Sequence, residues 1–125
     1  MFARKVAVGL KANSLTEFAR LMDEEILPWL RKQEGFLGLI TLVVPGGREV
    51  ATLSFWDHMG NAEAYNSNGY PEALKMLEEI LDGTPYVKRF DVVNSTFPTL
   101  AFDRPSDAEN LVQETEPGTK WLSLP

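Results

Sequence analysis

The fold is decided by the segment FLGLITLVVPGGREVATLSFW, residues 36–56. Its first half is a nearly unbroken apolar run, which is typical of a strand with bulky side chains on both faces. Pro45-Gly46-Gly47 then marks a tight turn, and the residues from Glu49 to Trp56 alternate between an apolar and a more polar face. Residues 36–44 and 49–56 are therefore predicted to form a β-hairpin.

A strand and a helix are predicted before the hairpin. Residues 2–11 alternate as a strand does, and Ser14-Leu15-Thr16-Glu17 has the spacing of a helix capping box. The first helix is expected to begin there, to kink near Leu27 because Pro28 lacks an N–H, and to end at Gly35.

A helix and a strand are predicted after the hairpin. A helical pattern starts at Asp57 and is interrupted by the segment Asn66-Ser67-Asn68-Gly69, with Pro71 suited to the first turn of a new helix. The second helix is thus expected in two parts, of which the second ends near Gly83. Residues 86–97 are predicted to form the last strand.

This order of elements predicts a ferredoxin-like βαββαβ domain of the α+β class over residues 1–97. Right-handed crossovers place both helices on one face of a four-stranded antiparallel sheet. The other face covers about 300 Å², and two of its strands are apolar on both sides. Because a patch of this size is normally covered, we predict a homodimer in which two sheets pack face to face.

Residues 98–125 lie outside this pattern and form a C-terminal extension. Four prolines and a polar middle are typical of a disordered tail, whereas Phe102, Trp121 and Leu122 could anchor it. We predict that the extension packs on its own domain or on the dimer partner.

Composition restricts the choice of partners. The net charge of −6 disfavours binding to nucleic acid or to anionic membranes. The chain contains no cysteine, so thiolate chemistry and disulfides do not arise, and a cytoplasmic location is expected.

Several short motifs carry a family resemblance. They are Leu27-Pro28-Trp29-Leu30, Gly35-Phe36-Leu37-Gly38, Phe55-Trp56-Asp57, the pair Tyr65 and Tyr70, and Pro85-Tyr86-Val87. In this order they resemble the antibiotic biosynthesis monooxygenase family of dimeric α+β barrels, over about residues 2–97. The resemblance implies a dimer whose sheets form a barrel, with a pocket between helices and sheet in each subunit.

The resemblance also suggests a function. We expect a cofactor-independent monooxygenase, that is an oxidoreductase, acting on a small aromatic or quinone-like molecule. The alternative is a non-catalytic protein of the same fold that binds a small molecule or another protein, because one fold supports many activities. The expected ligand contacts are Phe18, Met22, Trp29, Tyr65 and Tyr70.

His58 and Trp56 are the candidate catalytic residues. His58 is the only histidine and could remove a proton to give an anion that reacts with dioxygen. Trp56 could form a pocket wall beside a bound aromatic. Both also have structural explanations, since His58 could face solvent and Trp56 could fill the core.

No cofactor is expected. The haem-degrading branch of the family uses a histidine on the second helix, where this chain has Leu74 and Lys75, and a strand-1 asparagine that is missing here. His58 has no carboxylate cluster at ligand spacing, so no metal site is predicted either. Asn61, Asn66 and Asn68 could orient a substrate oxygen, although such residues more often cap helices.

Overall fold

The computed structural model describes residues 1–96, so the predicted extension over residues 98–125 lies outside the described part. The strands are β1 (Phe2–Leu10), β2 (Phe36–Val43), β3 (Glu49–Trp56) and β4 (Leu81–Asp91). The helices are α1 (Leu15–Leu21), a π-helical turn (Met22–Ile26), α2 (Leu27–Arg31), α3 (Met59–Asn68) and α4 (Tyr70–Leu77). Residues Met1–Phe90 form the compact unit discussed below.

The four strands form one sheet in the order β2-β3-β1-β4. Strand β3 pairs antiparallel with both neighbours, and Leu53 lies opposite Lys5 of β1 and Ile40 of β2. This is the ferredoxin-like α+β arrangement, and the predicted fold class is confirmed.

The register separates the two faces of the sheet, because successive side chains of a strand point to opposite sides. The helix-facing side carries the core residues Phe2, Val50 and Trp56. The opposite side, called the open face below, carries the residues Lys5, Ala7, Ile40, Leu42, Ala51 and Leu53.

The first helix begins at Leu15, as predicted, but without the predicted cap. The Ser14 hydroxyl donates to the carbonyl of Ala12, and Glu17 accepts from Arg20 instead of reaching back. Near Leu27, where a kink is expected, the structure has a π-helical turn over Met22–Ile26 instead. This turn widens the helix and ends two residues before Pro28. This turn brings Met22 and Ile26 into the core.

The break in the second helix lies at Gly69, as predicted. Gly69 is buried, and a Cβ atom there would come within 2.6 Å of the Tyr65 ring and 2.9 Å of the Gln33 side chain. The Trp29 indole donates to the carbonyl of Gly69 at 2.9 Å. The break is thus a point where the two halves of the helical layer approach each other closely.

The last strand differs from the prediction. Helix α4 ends at Leu77, and β4 already begins at Leu81 instead of Tyr86. Gly83, expected to end the helix, lies within the strand and has a φ of +85°. The amide of Lys11 donates to the carbonyl of Ile80 at 2.9 Å, which ties the start of β4 to the end of β1.

Among residues 1–96, the helices are all too short or too polar to cross a membrane.

Candidate functional site

A partly enclosed cavity lies between the helical layer and the sheet. It measures about 50 Å³, enough for roughly one or two water molecules, and about 560 Å³ when the open space at its mouth is included. We call it the Arg4 pocket. Its lining residues come from both helical segments and from β1, β2, β3 and β4: Arg4, Val6, Val8, Phe18, Met22, Ile26, Leu30, Leu39, Thr52, Ser54, Tyr65, Tyr70, Ala73, Leu74, Leu77, Leu81 and Pro85.

Part of the lining on α4 and β4 is accessible to solvent. Leu74 and Leu77 of α4 and Leu81 and Pro85 of β4 are not fully buried, whereas Phe18 on the opposite wall is 2% exposed.

Arg4 is the one charged residue in this lining. It points from β1 towards the helices and is only 2% exposed. Its Nε and Nη2 atoms donate to Oδ1 of Asn66 at 3.2 and 2.8 Å. Its guanidinium lies over the ring of Tyr70, 3.9 Å from the centroid, and 5.3 Å from that of Tyr65. Burial lowers the pKa of the Arg4 guanidinium, but an arginine remains charged in proteins.

The two tyrosines bring hydroxyl groups to the same pocket. Burial raises the pKa of Tyr65 to about 12, against the opposing effect of the Arg4 charge. Burial also raises the pKa of Tyr70, against the opposing effects of the Arg4 charge and of the polar contact with the Arg4 side chain, and no hydrogen bond of good geometry reaches its buried hydroxyl from the described residues. At neutral pH the pocket therefore carries one positive charge and two phenol hydroxyls in an apolar surrounding.

Trp56 lies behind the pocket and does not line it. It is completely buried, stacks on Tyr65 with ring centroids 5.0 Å apart, and meets Phe36 edge-on at 5.6 Å. Its indole N–H donates to the Ser54 hydroxyl at 2.9 Å, and that hydroxyl donates to the backbone carbonyl of Arg4 at 3.3 Å. Trp56 therefore supports Tyr65 and the backbone of Arg4 from behind.

His58, the other predicted catalytic residue, lies away from the pocket. Its side chain is 65% exposed at the start of α3, where its Nε2 is 3.3 Å from the Asn61 amide nitrogen and 4.0 Å from Asp57. A proton acceptor at this position does not reach a molecule in the Arg4 pocket.

The residues predicted to contact a ligand fall into two groups in the structure. Phe18, Met22, Tyr65 and Tyr70 lie around the cavity, whereas Trp29 packs beside it with its N–H bound to Gly69. Of the three candidate asparagines, Asn66 reaches the pocket indirectly, through Arg4.

Sequence reasoning missed Arg4, although one signal was present. In the alternating pattern of β1, Arg4 falls on the same face as Phe2, Val6 and Val8. A single charged residue on the apolar face of a strand needs a partner or a function.

The lining of the pocket offers no histidine to a haem group. The chain's only histidine lies outside the pocket, and Leu74, one of the residues at which the resemblance to haem-degrading proteins would place a histidine, lines the wall. Residues 1–96 also contain no cluster of histidine and carboxylate side chains that could hold a metal ion.

Solved structures share this fold at low sequence identity. A cofactor-independent oxygenase from Streptomyces nogalater, SnoaB, has a TM-score of 0.63 at 11% identity, covering 76% of this chain and 95% of that one. A protein described as an antibiotic biosynthesis monooxygenase has a TM-score of 0.60 at 12% identity, covering 74% and 99%. A single-residue mutant of MhuD, with two manganese protoporphyrin IX molecules bound per active site, has a TM-score of 0.64 at 17% identity, covering 77% and 98%.

These matches define the structural class. The chain has the α+β fold of antibiotic biosynthesis monooxygenase-like proteins, so the resemblance predicted from the short motifs is confirmed for the fold. No protein-family model matches the sequence, and no curated protein matches it significantly.

Proposed function

We propose that the Arg4 pocket binds a small, largely apolar aromatic or quinone-like molecule and that the protein oxidises it with dioxygen, without a cofactor. The observation that carries this proposal is an apolar cavity into which only a few polar groups converge, which is the usual composition of a small-molecule site. The oxygenase from Streptomyces nogalater, which shares the fold, supports the choice of reaction.

The proposed reaction converts a methylene group into a carbonyl. One atom of dioxygen becomes the carbonyl oxygen, and the other leaves as water with the two methylene hydrogens. The substrate supplies the electrons once it has lost a proton. Since the empty cavity is small, the substrate must displace lining side chains that are not fully buried, such as Leu74 and Leu77.

Oxygen uptake with an anthrone-type substrate, which carries such a methylene group, tests this proposal. Ala73 lines the pocket and is 4% exposed, so Ala73→Leu should fill the cavity and abolish uptake. Ala64 is exposed on the neighbouring helix, and Ala64→Leu is the control that should leave uptake unchanged. Equal rates for His58→Ala and the unaltered protein would remove His58 from the mechanism.

The second candidate function is ligand binding without catalysis. It is favoured by one observation: the titratable groups that line the pocket are an arginine and two tyrosines, whose pKa values are far from neutrality. Binding of an anthrone without oxygen uptake would support this candidate and refute the oxygenase.

We also propose that the protein is a homodimer whose two sheets pack through their open faces. Leu42 is 48% exposed there. On β4, Pro85 lines the pocket and Arg89 binds Glu63 of α3, so the alternating residues Tyr86 and Phe90 belong to the open face, where they are 65% and 38% exposed. Large exposed side chains on one surface are expected to be covered by a partner.

Sedimentation equilibrium tests the dimer. Leu42→Glu places a charge in the proposed interface and should give monomers. Leu15→Glu is a matched control because Leu15 is 44% exposed but lies at the start of α1, so this variant should remain dimeric. A monomeric unaltered protein would refute the proposal.

A further inference from the structure

Arg4 is a buried cation whose hydrogen-bond partner is neutral. The hydrogen bonds from its Nε and Nη2 atoms both end on the amide oxygen of Asn66, at 3.2 and 2.8 Å. The Tyr70 hydroxyl is a further neutral neighbour of the guanidinium. Since a guanidinium has five N–H donors, part of its donor capacity is left unused.

No carboxylate among residues 1–96 forms an ion pair with Arg4. Glu63 is the one carboxylate among these residues that raises the pKa of Arg4, but it forms its ion pair with Arg89, at 2.6 Å. Buried charges in proteins are nearly always paired, because an unpaired one is costly. A partner for this charge is therefore missing from the described part of the chain.

We infer that the Arg4 pocket is a receptor for a ligand with a negatively charged oxygen, a carboxylate or an ionised phenol or enol, on an apolar body. The anionic oxygen pairs with the guanidinium, and the hydroxyl of Tyr70, which lies beside Arg4, is available to donate a second hydrogen bond. The apolar body occupies the cavity between Phe18, Met22 and Ala73. This inference rests on the proposed pocket, but it does not depend on the oxygen chemistry.

Binding of matched probes to the full chain tests the inference by calorimetry. 2-Naphthoate is compared with 2-naphthamide, which has nearly the same shape and no charge. 4-Nitrophenol, above its own pKa, is compared with 4-nitroanisole, so that the two probe pairs distinguish a carboxylate from an ionised phenol. At least one anion should bind about 10-fold to 100-fold more tightly than its neutral counterpart, as a charge-assisted hydrogen bond provides.

The variant Asn66→Asp supplies the missing charge from within the protein. A carboxylate at this position lies within hydrogen-bond distance of Arg4 and competes with the ligand, so the preference for the anion should disappear while Arg4 stays in place. Ser67→Asp adds the same charge one residue further on, at an exposed position, and should keep the preference. This pair of variants separates a local ion pair from a change in net charge.

The outcomes distinguish this inference from the proposed function. Equal binding of anionic and neutral probes, or no binding of any probe, would overturn the inference. Loss of the anion preference in both aspartate variants would also overturn it. A preference for anions that Asn66→Asp removes and Ser67→Asp keeps, together with an absence of oxygen uptake, would support the inference and refute the oxygenase proposal alone.

Discussion

Replacing Arg4 by methionine tests whether the buried guanidinium holds the fold together or serves a ligand. The substitution removes the hydrogen bonds to Asn66 and the contact with the Tyr70 ring. Because both hydrogen bonds share one oxygen, we count them together as about 3 kcal/mol, and the stacked cation as about 2 kcal/mol. The loss is thus about 5 kcal/mol.

Two gains offset this loss. The penalty for burying a charge without a counter-charge, about 4 kcal/mol, disappears, and the methionine side chain buries apolar area worth about 2 kcal/mol. The free energy of unfolding should therefore change by no more than about 1 kcal/mol. For comparison, Phe18→Ala in the same pocket should lower it by about 3–5 kcal/mol.

Urea denaturation monitored by tryptophan fluorescence measures both variants, since Trp56 and Trp29 lie in or against the same core. Arg4→Met should at the same time lose the preference for anionic probes. A loss of stability above about 3 kcal/mol for Arg4→Met would refute the reasoning. The arginine would then be a structural residue, and its burial would no longer indicate a ligand.

Three further predictions concern the surroundings of the pocket. Gly69→Ala should lower the free energy of unfolding by about 1–3 kcal/mol in urea, because the added methyl group meets the Tyr65 ring; an unchanged midpoint would contradict this. Ser54→Ala should lower it by about 1–3 kcal/mol in the same assay, because the Trp56 indole N–H loses its acceptor in the core; full stability would mean that this bond is unimportant. Burial raises the pKa of Tyr65 to about 12, above the ordinary value of 10.0. Between these two pH values the folded state keeps a proton that the unfolded state has lost, so the free energy of unfolding should fall as the pH rises, by up to about 1.4 kcal/mol per pH unit. Urea midpoints measured across this range should show a smaller decline in Tyr65→Phe than in the unaltered protein.

The elements of the fold could be predicted where the signal is local. The turn at Pro45-Gly46-Gly47 and the break before Pro71 depend on residues that restrict the backbone by themselves. The start of β4 could not be predicted this way. Leu81 joins the sheet because the carbonyl of Ile80 meets the amide of Lys11, a contact between residues far apart in the sequence.

The pocket could be predicted only in part, for a related reason. Tyr65 and Tyr70 flank the helix break, so their proximity followed from the sequence, and the structure places both at the cavity. Which aromatic faces the cavity and which fills the core depends on packing across the layers. From its place at the end of a strand, Trp56 could either face the cavity or fill the core. The structure shows that it lies in the core, because the ring of Tyr65 stacks against it.

Because His58 lies outside the pocket and Arg4 lies inside it, the proposed reaction needs a way to remove a proton from the substrate without a histidine base. With the histidine at the surface, the groups within reach of a ligand are an arginine that stays charged and two phenols with raised pKa values. None of them accepts a proton readily at neutral pH. A positive charge in an apolar pocket instead stabilises the anion of the ligand and lowers the ligand's own pKa. In the proposed reaction, the acidity of the substrate would therefore take the place of a protein base. The pH dependence of oxygen uptake should then follow the pKa of each substrate, moving when the substrate is exchanged and staying unchanged in His58→Ala, whereas one fixed midpoint for all substrates would indicate a protein base.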